Sequence, residues 1–281
     1  MKIRKNILPR RLVDILCFLL IAVSLPVIFI FEMIVVLPAV HEPGGFFYTF
    51  TFIIAVYVIF NIKGNMIACM MIDTSVEYDD LKEPPNADSN GWRQCKYCLK
   101  LAPPRSWHCK NCKTCILKRD HHCLFMGCCI GHKNHRFFIM FIIFLFTGAT
   151  YAFVYNSYYL WVLKARLYSN RLSLFKMFCP VLMLLHGSTW HNSYLIMYNL
   201  NILALVYSVV LIIFHGPAVL HGGVCYERNK EYLYDAGLRR NMEGILGKRM
   251  HLAWLSPLVR SELPGDGIKW TKCLSHENKN K

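Results

Sequence analysis

The chain has 281 residues, 55% of them hydrophobic, with a positive mean hydropathy and a formal charge of +15. The apolar residues come in blocks rather than in the periodic stripes of a soluble amphipathic domain. Lysines and arginines flank those blocks, as in the cytosolic loops of a membrane protein, so the charge does not call for a nucleic-acid partner.

Residues 1–11 are basic (Lys2, Arg4, Lys5, Arg10, Arg11) and lead into a nearly continuous apolar run, Leu12–Phe31. The run continues well past Ala22-Val23-Ser24, a weak cleavage site, so a retained anchor is expected rather than a signal peptide. Asp14 and Glu32 are expected at its two ends, in reach of the interface, and Pro26 predicts a kink. A short turn without lysine or arginine, His41–Gly45, precedes a second span, Phe46–Ile62, which extends towards Ile72. Asp73–Gly91 reads as a polar linker with Pro84-Pro85. After a cysteine-rich stretch come a third span, Phe137–Leu163, and a fourth, Leu195–Leu220. Leu174–Leu185 is apolar but too short to cross, and is expected to be interfacial or re-entrant. His186, His191, His215 and His221 lie near span ends, which suits interfacial placement better than an ion path.

An even number of crossings leaves the three basic stretches (N-terminus, cysteine loop and tail) on the cytosolic side. The expected fold is therefore an all-α membrane protein. Four transmembrane helices carry a small cytosolic cysteine-rich zinc domain between helices 2 and 3. The expected divisions are 1–72, 73–136, 137–220 and 221–281. No internal repeat or heptad pattern stands out.

Eight of the 13 cysteines lie between Cys95 and Cys129, together with His108, His121, His122, His132 and His135 close by. The spacing is Cys95-x2-Cys98, then His108-Cys109-x2-Cys112-x2-Cys115, then Asp120-His121-His122-Cys123 and Cys128-Cys129. CxxC pairs interleaved with histidines favour zinc over disulfides. Two structural zinc sites take eight ligands, and a sequential and an interleaved pairing both satisfy that count. Cys123 is the best choice for a spare nucleophile: His121, two residues away, can take its proton, and Asp120 can orient that histidine. Lys118, Arg119 and the zinc ions would favour a thiolate. The competing reading makes Cys123 one more ligand and the Asp-His pair mere support. A span begins at Phe137, so Cys123 is tethered near the membrane surface, where a lipid-derived acyl thioester is in reach.

This string resembles the DHHC protein S-acyltransferases (palmitoyltransferases), from Cys95-x2-Cys98 through Pro104-Arg105, His108-Cys109, Cys112, Cys115 and Asp120–Cys123 to Cys129, Gly131 and Asn134. A weaker match, Tyr234-Asp235-x-Gly237-x3-Asn241-x5-Gly247, lies in the tail. The resemblance implies an interleaved pairing. Cys95, Cys98, His108 and Cys115 would hold one zinc ion, and Cys109, Cys112, His122 and Cys129 the other. It implies Cys123 as nucleophile, His121 as base and Asp120 as its orienting partner. It further implies acyl-CoA as donor, membrane-associated proteins with acceptor cysteines as substrates, and an acyl cavity among the helices, with Ser24, Gly148 and Ala149 as expected wall residues. Arg105, Lys118 and Arg119 would meet CoA phosphates. An endoplasmic reticulum or Golgi membrane is the family expectation. The alternative function is an inactive zinc-binding membrane adaptor. The sequence departs from the family at Leu124-Phe125, where Pro-Trp is usual, and at Cys128, where Asn is usual. It departs again at Asp73-Thr74-Ser75 (usually Asp-Pro-Gly) and at Val224-Cys225-Tyr226-Glu227, which keeps only the final glutamate. A divergent branch of the family also lacks the Pro-Trp pair, and Leu263-Pro264-Gly265-Asp266-Gly267-Ile268 looks like that branch.

Overall fold

The structure, a computed structural model, describes residues 2–79, 81–82, 84, 91–179, 181–185, 189–227 and 233–273. His186, part of the 73–91 linker and the end of the tail lie outside the described residues. Among the described residues, four helices are long and apolar enough to cross a membrane: Leu12–Val40, Phe46–Met71, His135–Leu163 and Asn192–Leu220. Their sequences lack a polar face, as suits helices surrounded by lipid or by one another.

The first of these is longer than the apolar run predicts. Helix α1 (Leu12–Phe31) passes Pro26 without ending, then continues through a π-helical turn, Glu32–Val36, and a last α turn, Leu37–Val40. Glu32 is thus inside the helix and buried, not at an interface, and accepts a hydrogen bond from Asn156. Helix α2 is Phe46–Met71, α3 is His135–Tyr158 with a π-helical extension Tyr159–Leu163, and α4 is Thr189–Leu220. The segment expected to be interfacial falls on two short helices, Arg171–Phe178 and Val181–Leu185.

The all-α expectation fails in the cysteine-rich stretch. Six three-residue strands form three antiparallel hairpins: β1 (Arg93–Cys95) with β2 (Lys100–Ala102), β3 (Trp107–Cys109) with β4 (Thr114–Ile116), and β5 (His121–Cys123) with β6 (Cys128–Ile130). Strands this short carry no readable period, and turn geometry imposed by the cysteines replaces it. The start of the expected linker is also structured. Val76 N–H donates to Cys115 O at 2.9 Å and Leu117 N–H to Thr74 O at 3.0 Å, so Thr74–Val76 runs alongside β4.

The chain divides into two compact units. The first comprises residues 1–18, 63–141 and 212–281, and holds the hairpins and the tail. In it, α5 (Leu238–Leu246) is strongly amphipathic. Asn241 of α5 donates to Leu220 O at 2.7 Å and to Asp235 at 2.7 Å, which buckles the tail motif onto the end of α4. The second unit comprises residues 19–62 and 142–211. Its aromatic-rich core includes Val36, Tyr159, Leu160, Tyr168, Leu195 and Tyr198. It also contains an apolar cavity lined by Leu25, Phe29, Val58, Ile62, Gly148 and Ala149 among others, with Glu32 and Tyr155 as polar members. Gly148 and Ala149 line this cavity, and Ser24 is not among its lining residues.

Candidate metal centres and active site

Successive residues of a strand point to opposite faces, and this alternation sorts the cluster. In the β3–β4 hairpin, His108 stands opposite Cys115, while the next residue, Cys109, stands opposite Thr114 and faces the other way. One hairpin thus feeds two metal groups, which is the physical basis of an interleaved pairing. Cys95, Cys98, His108 and Cys115 bring one ligand atom each within 4.8 Å of one another, and so do Cys109, Cys112, His122 and Cys129.

In the first group Cys98 Sγ lies 3.3 Å from His108 Nδ1 and 3.9 Å from Cys115 Sγ, and Cys95 Sγ lies 3.7 Å from His108 Nδ1. In the second, Cys112 Sγ is 3.4 Å from His122 Nδ1 and 3.6 Å from Cys129 Sγ. A tetrahedron with Zn–S bonds of about 2.3 Å has edges of about 3.8 Å, so both donor sets fit a zinc ion. Leu99 and Lys113, each directly after a CxxC pair, take positive φ of 54° and 55°. The tight turn this makes lets Cys98 N–H donate to Cys95 Sγ and Cys112 N–H to Cys109 Sγ, both at 3.4 Å. Such bonds favour the thiolates a metal needs.

The two groups also repeat: each member of the second lies 14 residues after its counterpart in the first. That period was legible as C-x2-C-x9-H-x6-C occurring twice, and it corrects the expectation of no internal repeat. Beyond the ligands, His122 Nε2 lies 3.2 Å from Asp14 Oδ2, which fixes the ring so that Nδ1 faces the sulfurs. Asp14 is buried, not interfacial as its position at a span end had implied.

The third hairpin separates metal binding from chemistry. On β5–β6, His122 opposes Cys129, and the other face carries His121 and Cys123, with Cys123 opposite Cys128. His121 Nδ1 donates to Asp120 Oδ2 at 2.7 Å, leaving Nε2 as the acceptor nitrogen. Burial opposes ionisation of Asp120, but hydrogen bonds from His121 and His215 outweigh it and hold the carboxyl well below the usual range. Burial, reinforced by neighbouring Cys128, pushes the Cys123 thiol up to about 12. Contact with Cys69 lowers the rival Cys128 thiol, but that side chain is 1% exposed against 6% for Cys123. Access favours Cys123.

Residues 88–231 match the sequence model of the DHHC palmitoyltransferase family. The chain belongs to this family. It is 34% identical over 193 residues to a protein of Danio rerio named "Probable palmitoyltransferase ZDHHC24", a match covering 67% of this chain and 65% of that protein. The protein of the same name from Rattus norvegicus is 31% identical over 223 residues, covering 76% of each. The family match spans the cysteine-rich stretch, α3 and α4.

Two of the three cations expected at CoA phosphates, Arg105 and Lys118, are placed differently from that expectation. Arg105, with φ of 60°, is buried and donates to Glu227 at 2.8 and 2.6 Å and to Gly222 O at 2.9 Å. Its guanidinium packs against the rings of Tyr234 and Trp270, at 4.3 and 4.5 Å, and those rings meet edge to face. Lys118 is also buried, over Trp270, and burial pulls its ammonium down to about 7. Arg105 and Lys118 thus fasten the tail to the cysteine-rich stretch. Arg119 is only half-buried and donates to His108 O at 3.2 Å. Four residues at the site escaped sequence reading: Asp14, His215, Cys225 and Glu227. Of these only Glu227 carried a signal, as the surviving member of its motif.

Proposed function

We propose that the chain transfers a fatty acyl group, palmitoyl in the first instance, from acyl-CoA to cysteines of membrane-associated proteins through an acyl-Cys123 intermediate. The observation that carries this reading is the division of labour on β5–β6. Two zinc ligands occupy one face, and an aligned Asp120–His121 pair shares the other with Cys123. His121 takes the Cys123 proton as sulfur attacks the thioester carbonyl. The carbon–sulfur bond to CoA breaks, and CoA leaves as its thiol with that proton. In the second half the acceptor thiol attacks acyl-Cys123, the Cys123–acyl bond breaks, and the acceptor's proton passes to the Cys123 sulfur. Thioester exchange is nearly balanced, so alignment and proton removal are the main tasks.

In this reading, Cys95, Cys98, His108 and Cys115 bind one structural zinc ion, and Cys109, Cys112, His122 and Cys129 the other. Zinc there supplies folding energy and rigidity. Of the expected CoA contacts, Arg119 is the one whose exposure still suits a phosphate. The apolar cavity of the second unit offers walls for an acyl chain. Four crossings, with both termini and the zinc domain cytosolic, in an endoplasmic reticulum or Golgi membrane, complete the proposal.

The test is palmitate released by hydroxylamine from purified protein after incubation with palmitoyl-CoA. Wild type and Cys128→Ser are expected to carry it, and Cys123→Ser to lack it. Label that survives in Cys123→Ser and disappears in Cys128→Ser would move the nucleophile. Zinc-loaded wild type without label would favour the adaptor.

A further inference from the structure

Asp120 does not hold its orientation alone. His215, in the last turns of α4 and 4% exposed, has Nδ1 3.2 Å from Asp120 Oδ2. The same oxygen takes the His121 bond at 2.7 Å, and the other carboxylate oxygen, Oδ1, accepts the Cys225 backbone N–H at 2.6 Å. His215 Nδ1 is also 3.1 Å from Cys225 Sγ. The rings of His121 and His215 lie 5.0 Å apart, and Phe138 sits edge-on to both at 4.9 Å. All of these residues belong to the first unit.

We infer that His215 is a positioning residue for acyl transfer: it clamps the Asp120 carboxylate so that His121 presents Nε2 to the Cys123 thiol. The inference rests on the acyl-Cys123 reading above. Within the hairpin, His121 alone touches the Asp120 carboxylate. His215 of α4 and the Cys225 N–H of the turn after it hold it at two further points. Without His215, Oδ2 keeps a single donor, the carboxylate can swing about its last torsion, and His121 loses the fixed partner that selects its tautomer. The donor atoms of Asp120, His121 and His215 also cluster as metal ligands can; His121 Nδ1 donates to Asp120 Oδ2, and His215 Nδ1 lies within ion-pair distance of the same oxygen.

The experiment measures initial rates of Cys123 acylation by palmitoyl-CoA on full-length, zinc-loaded protein in detergent. The variants are His215→Ala, His215→Asn, His121→Ala and the double variant His121→Ala/His215→Ala. Removing an outer orienting partner typically costs about 10- to 100-fold, so His215→Ala should lose that much in kcat with KM within about 2-fold. His215→Asn, whose amide nitrogen takes the place of Nδ1, should regain most of the loss. In the His121→Ala background the His215 change should add less than about 2-fold, because its effect runs through His121. A purely structural role would instead multiply the loss in both backgrounds. That result, a change confined to KM, or an unchanged rate would overturn the inference. Should His215→Ala not fold, His215→Asn against His215→Gln decides: Asn active and Gln weak supports the clamp, and equal rates sink it. A wild type that takes no acyl group defeats the acyl-Cys123 reading and this inference with it, whereas an acylated wild type matched by His215→Ala defeats this inference alone.

Discussion

The two metal centres use the same donors in the same order, 14 residues apart, yet they hold different things. The first ties β1–β2 to β3–β4, with Cys95 and Cys115 packed in a small core with Val76, Ala102 and Leu117. Its histidine, His108, has the ring of Tyr97 stacked on it at 4.6 Å. The second ties β3–β4 to the strand that carries His121 and Cys123, and its histidine is held from behind by Asp14. One centre braces a scaffold. The other sets the angle of the strand that carries His121 and Cys123, because His122 lies between them. Identical coordination chemistry thus has different consequences, decided by what lies one residue to either side of the ligand.

The sharpest way to break this comparison is to damage each centre separately. Cys129→Ser should lose one zinc per chain and lower acylation by on the order of 100-fold or more, since His122 is then no longer pinned. Cys98→Ser should also lose one zinc, but with a smaller loss, about 10-fold, because the β5–β6 hairpin keeps its metal. Zinc by elemental analysis and acylation rate on the same preparations check both. Equal losses of activity would erase the distinction. A finer test is Asp14→Asn, which keeps the shape but weakens the hold on His122. It should lower affinity at the second centre by about 10-fold in a chelator competition and leave the first unchanged.

Much of this site was legible because its chemistry is contiguous. Asp120, His121, His122 and Cys123 stand side by side, so residue types alone put forward an Asp-His pair beside a thiol, while the place of His122 came from the family resemblance. The pairing of zinc ligands was not legible, because it depends on which face of a three-residue strand each side chain takes. The 14-residue period would have argued for the interleaved set. Asp14 and His215 were misread for one reason: each sits near a span end, where a polar residue looks interfacial. Their partners lie more than 90 positions away, His122 for Asp14 and Asp120 for His215. Glu32 was taken for the end of α1 because a charge in an apolar run looks like a boundary. Asn156, from α3, satisfies that carboxyl inside the bundle, and the helix runs on to Val40. Arg105 looked like a phosphate ligand, and only the fold reveals that Glu227 occupies its fork.

The central claim is that Cys123, on the face turned away from the zinc ligands, carries the acyl group. Intact-protein mass spectrometry under conditions that retain zinc tests it most directly, after incubation with palmitoyl-CoA. Wild type should gain one palmitoyl mass and keep two zinc ions, and Cys123→Ala should keep both ions and gain nothing. An acyl mass on Cys123→Ala, or wild type holding two zinc ions and no acyl group, would contradict the account.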